Sequence, residues 1–131
     1  MKRFEELIAW QKARALTKAI FQATKPGEFS KNYSLVSQIQ RAAVSIVANI
    51  AEGFERDGKN EFRQFLSHAK GSAGEVRSQL YIALDGNFIN QTEFDLLSAE
   101  ARDISKLIGG FMKYLRNSEI PGTKFKKRFA P

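Results

Sequence analysis

A chain of 131 residues is long enough for one domain with a true hydrophobic core and too short for a second. It has no cysteine, which excludes disulfides, thiolate zinc sites and cysteine nucleophiles. No segment has the unbroken apolar length of a membrane span, and Lys2, Arg3, Glu5 and Glu6 precede any apolar run, so a soluble cytoplasmic protein is expected. Lys and Arg number 21 against 14 Asp and Glu, a net charge of +7 that suits a polyanionic partner but is also ordinary for solubility.

In chain order, four helical periods are separated by three breaks. The first runs from about Glu5 to Ala23, with Trp10, Ala13, Leu16, Thr17 and Ile20 on one face at three- and four-residue spacing. Lys25-Pro26-Gly27 ends it. The second runs from about Ser34 to Glu55, with Leu35, Ile39, Ala43, Ile46, Ile50 and Phe54 as its core stripe, and Asp57-Gly58 marks its end. The third carries Phe62, Phe65, Leu66, Ala69, Ala73, Val76, Leu80 and Leu84 on one face and stops at Gly86. Gly58 precedes it with Glu61 three residues on, so its capping box is only half present. The fourth opens on Asn90 with Glu93 as reciprocal partner, while Ile89 and Phe94 are placed as a hydrophobic staple. Its core line is Phe94, Leu97, Ala101, Ile104, Ile108, Phe111 and Leu115. Short later connections force antiparallel neighbours, so the expected fold is an all-α, up-down-up-down antiparallel four-helix bundle over residues 1–116, followed by a basic tail, 117–131, expected to be flexible.

The stretch from Gln38 to Gly53, QIQRAAVSIVANIAEG, is apolar on more than its core face. Val44, Val47, Ala48 and Ala51 lie on or near the other side, and such a surface on a soluble protein marks an interface unless neighbouring helices of the same subunit cover it. On the same helix Arg41, Ser45, Asn49 and Glu52 fall within about 80° at 100° per residue. A polar line on an apolar helix needs partners, and Glu75 and Gln79 of the third period are the candidates. The line is read as a structural network that fixes helix register, with a small polar binding site as the alternative.

That stretch, with FER at Phe54 to Arg56, EFRQFLSHAKGSAGEVRSQL at Glu61 to Leu80, Phe4 and the WQKA at Trp10 to Ala13, resembles the small proteins encoded within intervening sequences of bacterial large-subunit ribosomal RNA genes. The segment Leu84 to Phe94 is similar to the family's third turn, so about residues 3–116 are covered. The resemblance implies a closed four-helix bundle assembled as a ring, commonly a homopentamer, with no settled biochemical activity. A more distantly similar fold, the accessory variability determinant of diversity-generating retroelements, works beside a reverse transcriptase and binds nucleic acid. A shared fold carries that function only weakly to this chain.

Enzymatic readings find little in the sequence. His68 is the single histidine, and no motif sets a hydroxyl nucleophile or carboxylate beside it. Glu52, Glu55, Asp57, Glu61 and Glu75 do not form the Glu-x-x-His pairs of a di-metal bundle, so neither metal nor cofactor is expected. Gly71 and Gly74 in GSAG lack the preceding strand of a phosphate loop and are read as close helix packing. An enzyme with its substrate between helices would need a polar pocket around Arg41, Asn49 and Glu52.

Nucleic-acid binding has more support. Lys59, Arg63, Lys70 and Arg77 project within about 40° of one another on a helical wheel, a line suited to a phosphate backbone. The alternative is a solvated rim, or salt bridges to Glu61, Glu75 or Asp85 of a neighbouring subunit. In the tail, Lys124, Lys126, Lys127 and Arg128 interleave with Phe125 and Phe129, a pattern in which cations hold phosphates and rings stack on bases. It equally allows docking on another protein or no role. The expectation is a noncatalytic homo-oligomer that binds RNA, with a scaffold that recruits a partner enzyme as the competing class.

Overall fold

The structure, a computed structural model, describes residues 3–117. The first expected helix is divided: a 3-10 turn, Phe4–Glu6, precedes α1, Ile8–Thr24. Leu7 between them is extended, with φ −73° and ψ 128°, and only 3% exposed. Burying this side chain while the main chain turns is what interrupts the helix. The Gln11 side chain donates to the Glu5 carbonyl at 2.9 Å and braces the turn.

A short helix not read from the sequence, α2 (Gly27–Lys31), follows α1. Gly27 has φ +62°, which favours glycine, and the next turn drives Phe29 into the core at 2% exposure. Its ring stacks on Phe88, centroids 5.4 Å apart, and closes one end of the molecule. α3, Tyr33–Glu55, begins one residue before the expected Ser34, with Asn32 Oδ1 accepting the Leu35 amide at 3.1 Å.

α4, Lys59–Asp85, starts from Gly58 without a side-chain cap. Its end is a Schellman motif: the Phe88 amide bonds the Ala83 carbonyl and the Asn87 amide bonds that of Leu84. Asn87, with φ +61°, takes the left-handed position, while Gly86 stays at φ −79°. Glycine at 86 serves contact instead, since a Cβ there would meet the Phe88 ring at 2.6 Å. α5, Gln91–Asn117, carries the expected capping box: the Glu93 amide donates to Asn90 Oδ1 at 2.8 Å and the Asn90 amide to Glu93 Oε1 at 3.1 Å. Ile89 and Phe94 are both buried.

The result is an all-helical bundle with no strand among the described residues. α3 packs on α1 and α4, α5 packs on α4, and α1 closes the circuit against α5. Thr17 Oγ1 donates to the Ala43 carbonyl and Gln40 Nε2 donates to Thr24 Oγ1, so α1 and α3 run in opposite directions. Ser45 meets Ser72 and Gly53 meets Phe65, so α3 and α4 are antiparallel as well. The core stripes of α3 and α5 are buried at every expected position, while Trp10 and Leu84 are half-buried at the core margin and Phe65 is half-buried beside Arg56 and His68. Phe62, wholly buried, joins three helices by packing on Phe54 and Phe111 with centroids 6.0 and 5.1 Å away. No described helix is long and apolar enough to cross a membrane.

Candidate nucleic-acid face

The polar line of α3 divides between two environments. Asn49 Nδ2 donates to the Ser45 carbonyl at 2.8 Å and to Ser45 Oγ at 3.0 Å, and Ser72 of α4 donates to the same Ser45 hydroxyl at 2.8 Å. Ser72, buried and absent from the sequence reading, is the residue that joins the two helices. Its place between Ala69 and Val76 on the core face of α4 was the available signal. Glu52 turns away and pairs with Arg56 at 3.0 Å. Arg41 and Glu75 are both exposed and line an open groove of about 410 Å³ with Gln38, Ser45, Ser72 and Gln79, whose Oε1 is buried without a partner. Asn49 and Glu52 do not line this groove.

On the outer side of α3, Val44 is 45% exposed and Ala48 is exposed, whereas Val47 and Ala51 are half-buried. At the turn from α3 to α4, Arg56 is held by Glu52, by Glu61 at 3.8 Å and by the Phe65 ring at 5.2 Å. His68 is exposed, its ring edge-on to Phe65. Among the described residues no group of three His, Asp or Glu is placed to hold a metal. Gly71 and Gly74, read as close-packing residues, face open space: a Cβ at either would meet nothing within 4 Å. Gly71 lies on the exposed side of α4, while Gly74 is half-buried toward the basic flank yet still has room for a Cβ.

The basic line of α4 lies on the flank next to α5. Lys59 is the first residue of the helix and half-buried, as is Arg63, while Lys70 and Arg77 are exposed. A Cβ at Gly109 of α5 would lie 3.5 Å from Lys70 Cε. Closer to the start of α4, Arg63 shares an open groove of about 490 Å³ with Asn60, Glu61, Gln64, Ser67 and Met112. These two contacts show that α4 and α5 run in opposite directions. They also expose a second row that the sequence reading missed: Lys106, Lys113 and Arg116 of α5, all exposed and within about 80° of one another on a helical wheel. The wheel of α5 alone shows this row, but only packing places it beside the first. Arg63, Lys70, Arg77, Lys106, Lys113 and Arg116 have no ion pair among the described residues. The tail cations Lys124, Lys126, Lys127 and Arg128 lie outside the described residues.

Comparison with known proteins gives a family and a fold. A family model described as 23S rRNA-intervening sequence protein matches residues 5–110. A solved structure of a protein of unknown function from the S23 ribosomal protein family of Bacteroides thetaiotaomicron is similar with a TM-score of 0.74 at 21% identity, covering 81% of this chain and 99% of that one. No curated protein matches the chain.

Proposed function

The chain belongs to the 23S rRNA-intervening sequence protein family, and on that premise we propose that it is a noncatalytic, cytoplasmic RNA-binding protein. In this reading it is an up-down-up-down four-helix bundle that assembles as a homopentameric ring through the Val44 and Ala48 side of α3. It binds structured RNA through the basic flank of α4 and the tail cations. The observation that carries the reading is the contrast between two sets of cations. Arg3, Lys31 and Arg56 each have a carboxylate within 4 Å, whereas half-buried Arg63 and exposed Lys70 and Arg77 have no ion pair among the described residues. Like charges gathered without counterions cost electrostatic energy that a polyanion relieves by releasing its own condensed ions.

The test is fluorescence anisotropy of a labelled structured RNA over a salt series. The logarithm of the affinity falls linearly with log salt, by about 0.7–0.9 per phosphate neutralised. The triple variant R63E/K70E/R77E loses RNA binding while keeping its subunit number in light scattering. A variant that falls apart instead makes this flank part of the assembly. In the competing reading the exposed apolar residues Val44 and Ala48 recruit a partner enzyme and the charge is incidental; failure of the wild-type chain to bind RNA even at low salt favours it.

A further inference from the structure

We infer that the α4/α5 face is a site for the backbone of double-helical RNA, with the α5 row of Lys106, Lys113 and Arg116 as its second half. The inference rests on the RNA-binding reading above and names the form of RNA this face fits. From Phe62 to Gly74 and from Ile104 to Asn117 the two helices contain no acidic residue. Because they run in opposite directions with Lys70 against Gly109, these two stretches lie side by side. The acid-free surface therefore carries Arg63 and Lys70 on one helix and Lys106, Lys113 and Arg116 on the other, and Arg77 continues the first row beyond Glu75.

The shape and chemistry of this surface select among nucleic acids. Packed helix axes lie about 8–10 Å apart, and Arg63 to Arg77 spans about 21 Å at 1.5 Å per residue. Two nearly parallel cationic rows suit the two phosphate strands that border the wide, shallow minor groove of an A-form helix, where recognition is by shape, phosphates and 2′-hydroxyls. Single strands are held differently, on aromatic rings along which successive bases stack. Among the described residues the exposed ring on this flank is Tyr81, 56% exposed, and it packs on Phe94 with centroids 4.8 Å apart. One engaged ring at the end of the face is no stacking track, whereas serine, glycine and methionine between the rows let a smooth backbone approach.

The experiment titrates the full chain, at one salt concentration, with a 20-base-pair RNA duplex of arbitrary sequence and with single-stranded oligouridine of 20 nucleotides. The duplex is expected to bind at least about tenfold tighter and with little dependence on its sequence, since phosphate contacts carry no base information. Reversing the second row, K106E/K113E/R116E, brings duplex affinity down to the single-strand level; all three residues are exposed, and circular dichroism verifies that helicity is kept. Oligouridine binding as tightly as duplex overturns the inference, as does duplex affinity unchanged in the α5 variant. In both cases RNA binding itself stands. If the wild-type chain binds neither RNA, the functional reading fails and this inference with it.

Discussion

At the residue scale, Gly53 fixes how closely α3 and α4 approach. A Cβ there would stand 2.7 Å from the Phe65 Cβ and 3.0 Å from the Phe62 ring. The first of these atoms is tied to the main chain and cannot swing aside, so the helices themselves must separate. Gly53→Ala therefore destabilises the fold: overpacking of about 1–3 kcal/mol exceeds the ~0.5–1 kcal/mol that alanine gains in a helix. A lowered midpoint in thermal or urea unfolding checks this. Ser45 is the complementary case, a polar residue whose worth lies in its partners. It accepts from both Asn49 and Ser72, and Ser72 is buried. Ser45→Ala leaves that hydroxyl without its acceptor and lowers unfolding stability by about 1–2 kcal/mol.

At the scale of elements, α4 presents different chemistry on each flank. One side meets α3 through Phe65 and Ser72, the other meets α5 beside Lys70, and Gly71 on the open side and Gly74 near the basic flank both have room for a Cβ. Glycine in a helix interior costs conformational entropy, and here no contact within the chain compensates. The double variant G71A/G74A is expected to raise unfolding stability by roughly 1–2 kcal/mol, read from the same denaturation curves. The opposite signs at Gly53 and at Gly71 and Gly74 follow from position alone, since all three lie inside long helices.

At the scale of the whole molecule, the exposed apolar strip of α3 and the basic face of α4 and α5 are separate surfaces, so the assembly and the RNA binding proposed above are expected to respond to different substitutions. V44E/A48E places charge on two exposed positions and leaves the core untouched. It is expected to reduce the subunit number in light scattering while the far-ultraviolet circular dichroism is unchanged. An unaltered subunit number would remove this strip from the interface.

Periodicity in the sequence determined the four long helices, their buried stripes and the Asn90–Glu93 cap, because each depends on residues within a few positions of one another. Leu7 and α2 escaped that reading: the break at Leu7 and the docking of Phe29 on Phe88 are driven by burial against distant segments, which overrides local helical preference. The candidate site shows the same division. Arg63, Lys70 and Arg77 are a line that a helical wheel reveals. That Ser45 finds Ser72 and that Lys106, Lys113 and Arg116 stand beside the first basic row were decided only by the tertiary structure. Helical repeat fixes which face of a helix a residue occupies. The register and rotation of one helix against the next come from packing the whole core, and no local stretch of sequence encodes them.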